Sequence, residues 1–493
     1  KLNKFIWRTY CIYDTCIKYV TINQERSKNM KQFFNKIKIS NWPFIFLLLA
    51  FSIVFLLFLI AEKYIYTIII FGIIVFISFR MNISKFPLML FILSMLTKVI
   101  AILIITPPIE SDFLTMYQAS NLLRVGDLSY TESSYFIKWG YQVGHVVYQA
   151  ILLNICNSTF FLKIVNCLAL SSTTVLIYLI VKDLLNEKVA KFTSLTYVFY
   201  LHPVLLTTVL TNQHVPTFLF FLALYLIIKN NIFKTKPVLK YLIAGTLIGI
   251  GNIMLPEGII FVLTIIAYLL CICYKSESFR SIALKVLVLI LSYTFVTKGC
   301  SIAFQAFNLS KNGLSNQDPL WKFVLGTNYE KQGRYNEDDL IYSGNREKEL
   351  EIIKSRTIEN PIQFSKLLAI KAKAFWTGNN LYWSNDYLNN DDITIFSKQT
   401  SGESVNEFLN ALNEQLYTVI FILSLIGLFS LIKAKYDKRL DLFVILLSAY
   451  FVIYLLIEVM NRYTYTPRVA IFVLAGVGVN YLSNKIKSYK NFS

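Results

Sequence analysis

The stretch Lys138-Trp139-Gly140-Tyr141-Gln142-Val143-Gly144-His145-Val146-Val147-Tyr148-Gln149-Ala150-Ile151-Leu152-Leu153-Asn154-Ile155-Cys156 decides how the chain is threaded. It is apolar enough to suggest a membrane span, yet it carries Lys138, Tyr141, Gln142, His145 and Gln149. If it crosses a bilayer, every later segment changes side. Purer apolar runs lie near 43–61, 64–79, 87–105, 159–181, 191–207, 215–229, 239–254, 257–274, 281–299, 417–433, 440–458 and 465–482. A helix crosses the ~30 Å hydrocarbon layer with roughly 20 apolar residues. Twelve transmembrane helices are therefore predicted, with 138–156 as the ambiguous thirteenth.

Lys and Arg near span ends resolve the ambiguity, because they resist export across the membrane. With 138–156 kept out of the bilayer, one side receives 1–41, 80–85, 182–191, 229–240, 275–285, 433–439 and 484–490, which hold 28 Lys and Arg. The short connections of the other side carry only five: Lys63, Arg124, Lys138, Arg462 and Arg468. A spanning 138–156 reverses that bias over most of the chain. The stretch is thus predicted to be an amphipathic helix on the outer surface, and both termini to be cytoplasmic.

Composition agrees. Of 493 residues, 55% are hydrophobic and 16% charged, against about 25% charged in soluble domains. A soluble enzyme, a disordered chain and a disulfide-stapled secreted domain are excluded. Seven cysteines without a Cys-x-x-Cys pair give neither a disulfide framework nor a zinc site. The net charge of +19 resides mainly in cytoplasmic anchors, so no nucleic-acid partner is expected.

The predicted fold is an all-α polytopic membrane protein of about 12 transmembrane helices. Its expected parts are a basic cytoplasmic segment 1–41, three spans in 42–105, an outer loop with surface helices at 106–158, and six spans in 159–299. An extracytoplasmic loop domain at 300–416 and three spans with a basic tail in 417–493 complete it. Met30 precedes a basic and then apolar stretch, which leaves open whether residues 1–29 are native. The 300–416 segment holds Trp321, Trp376 and Trp383. Leu350, Ile353, Ile358, Ile362, Phe364 and Leu367 fall at helical spacing within it. No internal repeat is visible.

The first outer loop opens Pro107-Pro108-Ile109-Glu110-Ser111-Asp112-Phe113, placing two carboxylates at the water boundary. An arbitrary acidic pair is usually a solvated loop start. Here it is followed by Tyr117, Arg124, Asp127 and Trp139-Gly140-Tyr141-Gln142. Aromatic and amide side chains around an acid suit a sugar site, in which a carboxylate takes the proton of an attacking hydroxyl. The same face receives Asn212-Gln213-His214, Pro256-Glu257-Gly258, Glu458, Arg462, Tyr463 and Arg468. Each group alone reads as an ordinary polar turn; together they suggest a site. Lys98 lies inside a span about two turns from its outer end, and ionisable residues there are expensive. It either snorkels to the interface or binds a lipid phosphate.

These features resemble the C-type membrane glycosyltransferases, and within them the family 39 group of bacterial aminoarabinose transferases and protein O-mannosyltransferases. The likeness rests on the acidic pair after a span and on the surface helix ending Tyr148-Gln149-Ala150-Ile151-Leu152-Leu153. It extends to Leu162-Lys163-Ile164-Val165-Asn166, Leu179-Ile180-Val181-Lys182, Leu210-Thr211-Asn212-Gln213-His214, Leu255-Pro256-Glu257-Gly258 and Glu458-Val459-Met460-Asn461-Arg462-Tyr463. Gly326-Thr327-Asn328 and Gly333-Arg334-Tyr335-Asn336-Glu337-Asp338-Asp339 are similar to uncharacterised transferases of Gram-positive bacteria. The resemblance covers roughly 86–485. Two departures stand out: Glu-Ser-Asp replaces an adjacent Asp-Glu, and Leu255 stands where relatives carry Arg.

The resemblance implies a sugar donor on a polyprenyl phosphate, an acceptor hydroxyl on an envelope glycan, lipid or protein, and inversion at the anomeric carbon. It implies a multi-pass location in a bacterial plasma membrane with the site facing outward. Asp112 becomes the expected general base, with Glu110 in reserve. Arg462, Arg468 and Arg124, and less directly Lys98 and Arg334, become the expected donor-phosphate contacts. Tyr117, Trp139, Tyr141, Gln142, Asn212, Gln213, His214, Glu257, Glu458 and Tyr463 become the sugar and acceptor contacts. Some relatives use a divalent metal and others do not, so a metal stays open. The rival reading is a secondary transporter or lipid-linked-sugar flippase, which twelve spans also fit. Transporters, however, favour repeats and midplane charges. A non-catalytic envelope scaffold is the third reading.

Overall fold

The computed structural model of the protein describes residues 65–81, 83–229, 237–377, 383–390, 392–395 and 398–490. The predicted segments 1–41 and 43–61 lie outside them. The described chain is almost wholly helical, with one small antiparallel hairpin, β1 (Ile393–Ile395) and β2 (Lys398–Thr400). It is a multi-pass membrane protein. Among the described residues seven helices are at least 18 residues long and apolar enough to cross a bilayer, and three shorter apolar helices accompany them.

In chain order the helices are α1 (Ile65–Arg80), α2 (Phe86–Ile104), α3 (Ser111–Arg124), α4 (Ser134–Lys138), α5 (Val143–Ile155), α6 (Thr159–Leu184) and α7 (Glu187–Val198). Then come α8 (Leu201–Leu206), α9 (His214–Ile228), α10 (Leu239–Met254), α11 (Gly258–Cys271) and α12 (Phe279–Ala306). The second polar segment supplies α13 (Trp321–Thr327), α14 (Arg346–Thr357), α15 (Pro361–Thr377) and α16 (Trp383–Asn390). Last are α17 (Gly402–Lys433), α18 (Asp441–Leu456) and α19 (Tyr465–Lys490).

These seven spans and three shorter helices do not establish the expected count of twelve, and one expected span differs in form. The run 191–207 does not form a single helix: α7 ends at Val198, the chain turns through Phe199-Tyr200, and α8 restarts with Pro203 in its first turn, where a missing N–H costs nothing. Helix α7 is polar yet buried on nearly every side. Thr193, Ser194 and Thr196 return their hydroxyls to the carbonyls of Val189, Ala190 and Phe192 at 2.9, 2.7 and 2.8 Å. Protein rather than lipid surrounds such a broken element, which satisfies the rule for backbone at membrane depth.

The helix ends sort into two opposite layers. One holds the basic turns after α1, α6, α9, α11 and α17. There Arg439 donates to the carbonyls of Ile228 (2.9 Å) and Asp183 (3.3 Å), so a single cation covers two helix C-termini. The other layer holds α3–α5 and the described residues of 307–401. Helix α5 has 13 residues, about 20 Å at 1.5 Å per residue, too short to span. It lies on α3, with Ser120 Oγ 3.1 Å from both the Val146 carbonyl oxygen and Gln149 Oε1. Gly144 lets α5 touch α10, because a Cβ there would stand 1.9 Å from the Ile253 carbonyl oxygen.

The second polar segment seats on the bundle. Phe375 and Trp376 stack on Tyr454 and Phe451 of α18. Leu388 and Ile393 close against Ala101, Ile105, Val204 and Leu205. The helical stripe predicted for 347–373 divides into α14 and α15, and it does not form one buried face. Leu367 is buried, whereas Ile358 and Ile362 are 73% and 74% exposed. Helix α17 begins at Gly402, well before its apolar run.

Candidate active site

The Thr106-Pro107-Pro108 sequence ends α2, since a residue before proline is pushed out of the helical region. Three residues later α3 starts abruptly. Ser111 takes φ 54°, a left-handed conformation that non-glycine residues adopt at some energetic cost. Glu110 occupies the N-cap without using its side chain as a cap, and it is exposed. Asp112 falls in the first turn, where the positive end of the helix favours a carboxylate.

Arg462 meets Asp112 there. Its Nη2 donates to Asp112 Oδ2 at 2.9 Å. The guanidinium also lies over the rings of Phe113 (5.2 Å) and Tyr463 (5.7 Å), which fix its plane. Tyr135 of α4 lies beside Asp112. Burial first, and the carboxylate next, push its hydroxyl above the ordinary tyrosine range. The hydroxyl is neutral and therefore a donor.

A second cation adjoins this pair. Lys322 Nζ donates to Tyr463 Oη at 3.1 Å and stands 3.8 Å from Glu458 Oε2; Tyr463 Oη donates in turn to Glu458 Oε2 at 3.2 Å. Burial would lower the Lys322 ammonium, but Tyr463, Tyr141 and Glu458 outweigh it and raise it. Burial also raises Tyr141, with Lys322 opposing and Tyr463, Asp112 and Glu458 adding to the rise. Tyr335 is raised by burial, then by Glu337, Asp112 and Glu458. Asp112, Tyr135, Tyr141, Lys322, Tyr335, Glu458, Arg462 and Tyr463 thus share one electrostatic neighbourhood.

Backbone bonds hold the two outer segments at this neighbourhood. Glu458 N–H donates to the Lys322 carbonyl at 2.8 Å, and Val459 N–H to the Gly333 carbonyl at 2.9 Å. The buried Lys371 ammonium donates to the carbonyls of Gly326, Leu455 and Ile457 at 2.7, 2.7 and 2.8 Å. It thereby caps the C-terminus of α18 and ties to it the end of α13, which leads into the loop through residue 335. Asp339 organises that loop. Its carboxylate receives Arg356 Nη2 at 2.7 Å and the amides of Asn328 and Asn336 at 3.0 Å each. Burial would raise Asp339, but Arg356 and the two amides hold it below the usual range.

Beneath lies an inner polar layer. Glu257 is buried and accepts from Tyr450 (2.7 Å) and Tyr454 (3.2 Å). The Tyr454 ring is 5.7 Å from that of Tyr463, which connects this layer to the outer one. His214 Nδ1 pairs with Tyr465 Oη at 2.7 Å, and Asn212 donates to the Met254 carbonyl at 3.2 Å. Gln213 is buried, and its Oε1 and that of Gln142 find no hydrogen-bond partner among the described residues. Arg468 is buried deeper, donating to Tyr200 Oη and lying 4.5 Å over the Tyr417 ring.

Several expected site residues sit elsewhere. Arg124 is twelve residues along α3 from Asp112, about 18 Å at 1.5 Å per residue. Tyr117 packs with Leu153, Leu162 and Leu210. Trp139 packs in the junction with Trp321, Val324 and Leu325, with the Lys138 ammonium 4.6 Å over its ring. Arg334 is exposed beside the site. Lys98 does not snorkel: it is fully buried, and its ammonium turns back to Ser94 Oγ at 2.8 Å. Lys322, Tyr135, Lys371 and Asp339 were not anticipated as individual contributors. Their only signal was membership of aromatic or polar stretches.

No group of three or more His, Cys, Asp or Glu side chains converges as a metal centre among the described residues. The guanidinium of Arg462 occupies the position at Asp112 that a cation would take.

Residues 145–297 match the model of the dolichyl-phosphate-mannose-protein mannosyltransferase family. The resemblance to C-type membrane glycosyltransferases agrees with that match. No curated protein matches the chain in sequence. Among solved structures, the chain is similar to the archaeal oligosaccharyltransferase AglB from Archaeoglobus fulgidus in complex with an inhibitory peptide and a dolichol-phosphate. The identity is 13% over 83% of this chain and 51% of that one, with a TM-score of 0.48. The apo form of the Archaeoglobus fulgidus oligosaccharyltransferase gives 12% identity, 83% and 52% coverage, and a TM-score of 0.47. The chain spans about half the length of these structures.

Proposed function

We propose that this multi-pass membrane protein is an inverting glycosyltransferase that moves a sugar from a polyprenyl-phosphate carrier to an acceptor hydroxyl on the extracytoplasmic face. The observation that carries the reading is the Asp112–Arg462 pair, set in a cluster of tyrosines at the end of the bundle opposite the basic turns. The family match over 145–297 supports transfer rather than transport.

In this reading the acceptor oxygen attacks the anomeric carbon, and its proton passes to the Asp112 carboxylate. The bond from that carbon to the phosphate oxygen breaks, and its electron pair leaves with the phosphate. Negative charge grows on the leaving group, so fixed cations there lower the barrier. Arg462 holds the base with one N–H and has a planar fork suited to phosphate. Glu110 is the reserve base, less favoured because it is exposed and forms no ion pair among the described residues. Tyr141, Gln142, Glu458 and Tyr463 are assigned to the sugar and acceptor. Asn212, Gln213, His214 and Glu257 support them from the inner layer.

The acceptor is an envelope glycan, a lipid or a protein, and the membrane is a bacterial plasma membrane. The test incubates purified protein with polyprenyl-phosphate-linked sugars and envelope acceptors. Acceptor-dependent release of polyprenyl phosphate by the wild type, absent in a folded Asp112→Asn variant, is the expected result. Equal release by both forms would refute the assignment.

A further inference from the structure

Five cations were expected to meet the donor phosphate, and their placement narrows the choice. Arg462 pairs with Asp112 and keeps the role proposed above, whereas Arg468 bonds Tyr200 and Lys98 bonds Ser94 within the bundle. Arg124 lies at the far end of α3, and Arg334 makes no side-chain bond among the described residues. The cation that the fold does deliver beside Asp112 and Arg462 is Lys322, carried in by α13 of the second polar segment.

Its setting is that of a binding group. A surface lysine samples many rotamers, whereas this ammonium is held over the Tyr463 ring at 4.6 Å and donates to the Tyr463 hydroxyl. That hydroxyl is itself oriented by Glu458. The bond order runs Lys322 to Tyr463 to Glu458, so the carboxylate fixes the tyrosine and the tyrosine fixes the ammonium. The Lys322 and Glu458 side chains are unequal in exposure, 32% against 7%, and at 3.8 Å they do not form a tight pair. Among the described residues the ammonium makes one hydrogen bond, which leaves two of its three donors. Glu458 is the more deeply buried of the two, and Lys322 is the one that keeps exposed surface.

We infer that Lys322 binds the phosphate of the polyprenyl-phosphate donor, with Tyr463 and Glu458 as its positioning residues. The inference rests on the transferase reading above. Phosphate held by Lys322 also accounts for a lysine in this place rather than a second arginine. The ammonium acts as a compact point charge and needs no planar fork.

The test uses full-length protein in nanodiscs and measures binding of a long-chain polyprenyl phosphate and of the corresponding uncharged polyprenol. Lys322→Met is expected to weaken the phosphate lipid by about tenfold to a hundredfold, the range of a charged hydrogen bond. Polyprenol binding stays at the wild-type level, and Lys322→Arg restores most of the phosphate affinity. Wild-type affinity for the phosphate lipid in Lys322→Met overturns the Lys322 assignment alone. Equal loss of both lipids marks general damage and also overturns it. A wild-type protein that binds no polyprenyl phosphate removes the transferase reading, and this inference falls with it.

Discussion

Arg462 donates to Asp112 across 350 positions of sequence, joining the first turn after one membrane helix to the last turn before another. The bond therefore measures whether both ends of the chain are assembled at the site. Arg462→Ala should lower transfer, because a base that loses its partner is neither oriented nor balanced. A positioned base contributes about 10²–10⁴-fold, which bounds the loss from Asp112→Asn. The two substitutions should be strongly non-additive, since either one dissolves the same pair. Steady-state rates of the two single variants and the double variant check this; additive losses would show that the residues act separately.

Arg124 supplies the opposite expectation. Helix α3 carries it about 18 Å from Asp112, beyond the reach of a side chain bound to the same ligand. Arg124→Ala should change the barrier to transfer by less than about 0.5 kcal/mol, the range of a remote surface substitution. A large fall in rate with intact folding would place the donor phosphate along α3 and displace the site as drawn.

Lys371 should matter for assembly. Its ammonium is fully buried and serves three carbonyls, two of them at the end of α18 and one, that of Gly326, in the last turn of α13. Lys371→Met keeps the length of the side chain and removes every donor. Stranding buried carbonyls costs about 1–3 kcal/mol each, and the end of α13 loses its tie to Ile457. Lower thermal stability, with new proteolytic cleavage near residues 326–335, is the expected outcome. Unchanged stability would mean the carbonyls find other donors.

The membrane helices were readable because each apolar run must satisfy its own backbone, which leaves a long uninterrupted signature. The break at Phe199-Tyr200 was not readable. Thr193, Ser194 and Thr196 bond within α7, so their polarity neither announces water nor prevents burial. Asp112 and Arg462 stood out because both flank span ends. Arg124 shares that description, yet side of the membrane says nothing about lateral position. Lys322 was silent for another reason. Within Trp321-Lys322-Phe323 it reads as an ordinary surface cation, and everything that defines it (Tyr141, Glu458 and Tyr463) comes from distant sequence.

The junction that carries the first outer loop gives a pH test. Asp318 accepts from Gly344 N–H at 3.1 Å and pairs with Lys138 at 2.8 Å, and Glu349 accepts the same Gly344 N–H at 3.1 Å. Two buried carboxyl groups so close share one proton. Burial, and then Asp318, push Glu349 up to about 7 from 4.5. Burial would also raise Asp318, but Glu349, Lys138 and Ser343 outweigh it and hold it below 3.8. Glu349 therefore keeps its proton in the folded protein where the unfolded chain has lost it. Its contribution is complete below about pH 4.5 and is lost as pH rises through about 7, because stability falls with pH wherever the native state binds more protons. Asp318 acts in the opposite sense, but only when pH drops below its ordinary range. Between pH 5 and 8 the melting temperature of the wild type should decline relative to that of Glu349→Gln, whose amide donates to Asp318 at every pH. Parallel melting curves across that window would show that Glu349 and Asp318 do not share the proton.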